Sequence, residues 1–95
     1  MSAYIIASVN VTDPEKYKGY QALTPAAIAK HGGTFVVRGG AMEVLEGDWS
    51  RPRVVVLQFD SVDAAKKFYN SPEYVEARKV REGAAEFSMV VVEGL

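Results

Sequence analysis

The sequence contains no cysteine. Disulfides, thiolate nucleophiles and thiolate metal ligands are therefore excluded. It has a single histidine, His31, so a metal held by one chain would have to draw on carboxylates. Glu43, Glu46 and Asp48 lie close together, but they read as the charges of a turn, and no metal site is expected. Neither sign of charge dominates. Eleven Lys and Arg stand against twelve Asp and Glu, for a net charge of −1. Such a balance leaves no electrostatic footprint for nucleic acid or an anionic membrane. No apolar run is long enough to span a bilayer, and no membrane partner is expected. The first residues lack a basic start followed by an apolar stretch, so the expected location is cytoplasmic. The glycine pairs Gly32-Gly33 and Gly39-Gly40 fit neither a dinucleotide fingerprint nor a phosphate loop, and no cofactor is expected.

What remains is an ordinary globular composition, 48% hydrophobic over 95 residues, which makes one domain spanning residues 1–95. Ala3 to Val11 is rich in β-branched residues and predicts a strand. Asp13-Pro14 predicts a helix start, with Asp13 as cap and Pro14 at the first helical position, where its missing N–H costs nothing. Tyr17, Tyr20, Leu23, Ala27 and Ile28 recur at helical spacing and form its apolar face. Pro25 falls inside this pattern and predicts a kink or a restart capped by Thr24. Gly32-Gly33 ends the helix, and a positive φ is expected at Gly33.

Thr34 to Arg38 predicts a second strand, and Met42 to Glu46 is strand-like again. Gly39-Gly40 between them is either a hairpin turn or a bulge in one long strand, and the bulge is preferred because Gly47 to Pro52 makes the better turn. Arg53 to Phe59 is the most continuous apolar run and reads as a central strand. Ser61 caps a further helix, with Asp63 in its first turn. Ser71-Pro72 repeats the cap-then-proline signal for a second piece reaching about Ala85, and Phe87 to Glu93 is the last strand. The order strand, helix, strand, strand, broken helix, strand is the α+β, ferredoxin-like βαββαβ pattern, with a four-stranded antiparallel sheet and helices on one face.

The strand alternation carries a second message. Pointing the more apolar parity of each strand at the helices gives a complete core: Ile5, Ala7, Val9, Phe35, Val37, Val55, Leu57, Phe59, Phe87, Met89 and Val91. The opposite parity should be polar if water covers it. Instead it holds Ile6, Val36, Val54, Val56, Val90 and Val92 among Ser8, Asn10, Arg38, Gln58 and Ser88. A face so apolar calls for a partner, most simply a second copy related by a two-fold axis. Burying about 400 Å² of it per chain contributes on the order of 10 kcal/mol before the costs of association.

Asp13-Pro14, the run from His31-Gly32-Gly33 to Arg38-Gly39-Gly40, Glu46-Gly47-Asp48-Trp49, Phe68-Tyr69-Asn70-Ser71-Pro72-Glu73-Tyr74 and Val92-Glu93-Gly94 occur in an order and spacing that resemble the family called "domain of unknown function 1330". The resemblance covers nearly the whole chain. That family is similar to the dimeric α/β-barrel superfamily, in which two ferredoxin-like sheets close into one barrel. The resemblance thus implies the homodimer argued from the mixed face. The superfamily includes small monooxygenases, muconolactone-type isomerases, haem-handling enzymes and stress-response proteins, so the resemblance implies a fold without a reaction.

For the site, His31 is a candidate general base, or a cap whose protonated ring suits a helix C-terminus. Arg38 on a half-apolar face must find an anion or carbonyls, so it is either a ligand anchor or part of a structural network with Ser8, Asn10, Gln58 and Ser88. Trp49 in a turn implies packing on a partner chain or on a pocket rim. Tyr17 and Tyr20 are core residues or pocket residues. The candidate site is therefore His31 and Arg38 for chemistry, with Ser8, Asn10, Tyr17, Tyr20, Trp49 and Gln58 for binding. The expected role is binding or transforming a small organic molecule, acidic or not, in a pocket near the sheet. An interaction or stress-associated domain without a ligand is the alternative.

Overall fold

The computed structural model describes residues 2–95. Four strands, β1 (Ala3–Val11), β2 (Thr34–Arg38), β3 (Arg53–Phe59) and β4 (Ala85–Glu93), form one sheet in the order β2-β3-β1-β4, with every neighbour antiparallel. Helices α1 (Pro14–Lys30), α2 (Val62–Tyr69) and α3 (Pro72–Val80) cover one face. The three caps read from the sequence are formed. Asp13 Oδ1 accepts from the Lys16 N–H at 3.2 Å, Ser61 Oγ from Ala64 at 3.0 Å and Ser71 Oγ from Tyr74 at 3.2 Å. Each satisfies a backbone donor that the first helical turn leaves open.

The core lies between the sheet and the helices. Ile5, Ala7 and Val9 of β1 meet Leu57 and Phe59 of β3, Tyr17, Tyr20 and Ile28 of α1, Phe68 of α2, and Tyr74 and Ala77 of α3. Phe87, Met89 and Val91 pack against this cluster from β4.

Several expectations need correcting. Helix α1 runs through Pro25 without restarting. Proline removes the N–H that would bond the Gln21 carbonyl, and the Thr24 hydroxyl donates to that carbonyl instead, at 3.4 Å. Thr24 is thus buried as a replacement donor, while Leu23, assigned to the apolar face, is 43% exposed. The positive φ after α1 falls on Gly32, at 77°, rather than on Gly33. Gly32 makes the left-handed turn that lets the Gly33 N–H reach back to the Ile28 carbonyl at 2.9 Å. Helix α3 stops at Val80, short of Ala85. Ala84 is held outside it because its carbonyl accepts from both Thr12 and Asp13, at 2.8 and 2.9 Å.

The largest correction concerns β2. Its ladder with β3 pairs Thr34 with Gln58 and Phe35 with Leu57, then slips, pairing Val37 with Val56 and Arg38 with Val55. Val36 is the extra residue of a bulge. The bulge lies before Gly39-Gly40, not at it, and it inverts the parity that follows. Directly paired residues share a face of the sheet. Val37 therefore joins the open face, and Arg38 turns to the helix side with Val55. Strand β2 ends at Arg38, and Met42 to Glu46 forms no strand within the chain. Residues 40–52 run as an irregular segment between β2 and β3.

Candidate functional site

A cavity of about 40 Å³ lies between α1 and the sheet, room for about three waters. Its floor is apolar, from Ile5, Ala7, Val55, Leu57, Phe87 and Met89. Its polar groups are Tyr17, Tyr20, Gln21, Thr24, Tyr74, Arg38 and Arg53. Polar groups converging on a hollow with an apolar floor is the usual makeup of a small-molecule site.

The chemistry of these groups is one-sided. The Tyr20 and Tyr74 hydroxyls are hydrogen-bonded to each other at 2.6 Å, joining α1 to α3. Burial pushes the Tyr20 phenol far above its ordinary value, and the neighbouring Tyr74 adds to the shift. Burial also raises Tyr17, against the pull of the Arg53 guanidinium beside it. Both phenols are protonated at neutral pH and present O–H donors, not bases. Arg38 lies over the Phe35 ring, 4.5 Å from its centroid. Arg53 has a buried Nε with no hydrogen-bond partner. Among the described residues, no ion pair includes an arginine. Two guanidiniums and the Tyr17 hydroxyl therefore face the cavity with donors and without a carboxylate to receive them.

Local geometry holds Arg53 in place. Gly39 follows the bulge at φ 69°, and its N–H donates to the Val54 carbonyl at 2.9 Å. The Arg53 guanidinium rests on the bare Gly39 Cα, since a Cβ there would stand 2.6 Å from Arg53 Cζ. On the far side, Arg81 stacks on Phe87, 3.7 Å from the ring centroid, and reaches toward Tyr20.

The structure thus brings Tyr17, Tyr20 and Arg38 together. Ser8, Asn10 and Gln58 lie on the opposite, open face, as their pairing with Val54, Glu86 and Tyr4 requires. Asn10 donates to Glu86 at 2.9 Å, Gln58 to Ser2 at 3.0 Å, and Arg51 to Ser88. Trp49 stands on the segment between β2 and β3, 53% exposed. Arg53, Gln21, Thr24 and Tyr74 escaped the sequence reading as site residues. Arg53 was within reach, because it shares the parity of Val55, Leu57 and Phe59. The Tyr20–Tyr74 contact depends on how α3 packs against α1, and no local signal announces it.

His31 caps α1 and lies away from the cavity lining. Its ring sits at the edge of Phe68, and its Nε2 donates to Glu73 Oε1 at 2.9 Å, the ionised carboxylate being an acceptor only. Lys30 donates to the other oxygen at 2.9 Å. The bonds from His31 and Lys30 hold the Glu73 carboxyl down at about 2, from an ordinary 4.5. Because the folded value is the lower one, the stabilisation is present above pH 4.5 and is lost as pH falls toward 2. We expect the stability gap between wild type and Glu73→Gln to close as urea titrations move from pH 5 to pH 2. A gap that stays constant through that window would refute the assignment.

A four-stranded antiparallel sheet in this order, with its helices on one face, defines the ferredoxin-like α+β class. Within that class, the chain belongs to the family described as Domain of unknown function (DUF1330), whose model matches residues 2–95. No curated protein matches it. Among solved structures it is similar to a protein of unknown function from Rhodopseudomonas palustris, at 22% identity and TM-score 0.79, covering 99% of this chain and 82% of that one. It is also similar to a dimeric ferredoxin-like protein of unknown function from Jannaschia sp. CCS1, at 15% identity and TM-score 0.75, covering 99% and 100%. A third is SnoaB, a cofactor-independent oxygenase from Streptomyces nogalater, at 17% identity and TM-score 0.70, covering 99% and 93%. Identities this low establish the fold. Among the described residues no helix is long and apolar enough to cross a membrane.

Proposed function

We propose that this protein is a homodimer that binds a compact organic acid in the cavity between α1 and the sheet. One observation carries the ligand reading: Arg38, Arg53 and Tyr17 line a largely apolar hollow that holds no carboxylate to pair with the two guanidiniums, and Arg53 Nε has no hydrogen-bond partner. A carboxylate supplies acceptors for both guanidiniums, and two-pronged pairing is the geometry that arginine favours. The ligand's carbon skeleton lies against Phe35, Val55, Phe87 and Met89. His31 has no part in this reading, because Glu73 and Phe68 already engage its ring. The description of SnoaB as an oxygenase supports a small-molecule role for such a fold, but a fold alone carries no reaction.

The dimer reading rests on the open face. The molecule is a slab of 31 × 30 × 17 Å, and its bare sheet exposes Ile6, Val36, Val37, Val90 and Val92. A standard interface buries about 800 Å² per partner, which a face of this breadth can supply. Solved structures of this fold described as dimeric support the same arrangement.

The test is binding of acetate, which is of the size this cavity admits, against its uncharged counterpart acetamide, followed by NMR of the Tyr17, Val55 and Phe87 resonances. We expect acetate to shift them, and Arg53→Gln to weaken acetate binding about tenfold or more, the worth of a charge-assisted hydrogen bond, with acetamide binding unchanged. Gly39→Ala, which pushes the Arg53 guanidinium off its seat, should reproduce the loss. If neither acetate nor formate, glycolate or propionate shifts these resonances, the proposal fails.

A further inference from the structure

The segment between β2 and β3 has the wrong structure for its sequence. Met42 to Glu46 has the composition of a strand, yet among the described residues no backbone–backbone hydrogen bond involves residues 40–52. Unstructured connections longer than about 12 residues are uncommon in compact domains and are usually functional. This one is also apolar where water meets it. Leu45 is 92% exposed, and Met42, Val44 and Trp49 are exposed beside it.

We infer that residues 40–52 form an arm that pairs with a second copy of this chain. The arm's unpaired backbone completes its hydrogen bonds there, and Met42, Val44, Leu45 and Trp49 are buried against the partner. The inference rests on the two-fold dimer proposed above. Three observations select a second copy as the occupant. The arm encloses a groove of about 500 Å³ whose far wall is Val37 and Val54. Both belong to the open face, so arm and face form one continuous apolar surface. The returning leg of the arm is fastened on that side, because Arg51 reaches across to Ser88 of β4 on the same face. The reach also suffices. Six extended residues span about 20 Å, and crossing a four-stranded sheet takes about 15 Å. An arm rooted at one end of the face can therefore run along or past the partner's sheet to an edge, where open N–H and C=O groups accept another strand.

The chain offers two convenient reporters. Trp49 is its sole tryptophan, and amide exchange reads the arm's backbone directly. The experiment is hydrogen exchange and tryptophan emission on wild-type protein from concentrated to dilute solution. Alongside it, dissociation is measured for a variant with residues 41–50 replaced by a short Gly-Ser link, and for Val56→Lys at the centre of the open face. We expect the amides of residues 41–46 to exchange about tenfold or more slower in the dimer than after dilution. Trp49 emission should move to the red as dimers separate, and the short-arm variant should dissociate at about tenfold lower dilution than wild type. If these amides exchange within the mixing time at every concentration, or the short-arm dimer is as tight as wild type, the arm is not paired and the inference falls. Exchange in the wild-type dimer keeps the inference testable should the short-arm variant fail to fold. A dimer that Val56→Lys abolishes but arm removal does not leaves the sheet-face dimer standing without the arm. A dimer that tolerates Val56→Lys and keeps the arm protected retains the arm and removes the sheet face. Wild-type protein that stays monomeric, or an arm protected only when a small ligand or another protein is added, overturns the inference.

Discussion

Phe68→Ala is expected to lower the free energy of unfolding by about 4 kcal/mol, out of a total on the order of 5–15 kcal/mol. Phe68 is fully buried and sits at the junction of every layer. Its ring lies 4.4 Å from Tyr74 on α3 and 5.2 Å from Phe59 on β3, with the His31 ring at its edge. Removing it vacates the place where α2, α3 and the sheet meet. The neighbours cannot collapse into that space without moving two helices. For a domain of this size the melting temperature should fall by about 20 °C. Calorimetry of the variant checks this, and a fall of only a few degrees would mean that the site repacks and that the aromatic cluster is not the structural centre.

Gly33→Ala should cost about 2–3 kcal/mol, although it adds one methyl group. The backbone of Gly33 is not the reason, since the positive φ belongs to Gly32. A Cβ at Gly33 would stand 2.6 Å from Cζ of Phe59 and 2.8 Å from Cγ2 of Ile28. Both neighbours are buried, so neither can swing aside. Gly32→Ala makes the contrast. Its Cβ meets open space, and only the left-handed backbone resists it, at about 1 kcal/mol. Melting curves of the two variants side by side should place Gly33→Ala clearly lower. Equal melting temperatures would show that the Phe59 ring yields and that steric closeness does not explain this glycine.

The local signals were legible in the sequence, and the long-range ones were less so. Asp13, Ser61 and Ser71 announced their helices because a cap is a contact between residues three apart. The order of elements along the chain followed from the local signals, and the two faces of β1, β3 and β4 from alternation. Pro25 misled, because the proline rule assumes that the orphaned Gln21 carbonyl has no other donor, and Thr24 supplies one. Met42 to Glu46 was expected as strand but forms none, because composition cannot supply a pairing partner. The candidate site was half legible. Tyr17, Tyr20 and Arg38 do meet, but Arg38 was assigned to the wrong face and grouped with Ser8, Asn10 and Gln58. A bulge is a property of pairing between β2 and β3, and no residue of β2 alone declares it.

That bulge gives β2 the character of a parity switch. A regular strand from Phe35 onward would send Val37 into the core and Arg38 out among the valines of the open face, where a buried cation would oppose association. The one extra residue, Val36, reverses both assignments at once. It withdraws a charge from the open face of the sheet and delivers it to the helix side, where Arg38 lines the cavity, with no change in composition. The location of the cation is therefore encoded by a count of residues, not by their kind. Two chains of this fold with the same Val-Val-Arg run place the arginine on opposite faces of the sheet when a single residue is inserted or deleted upstream.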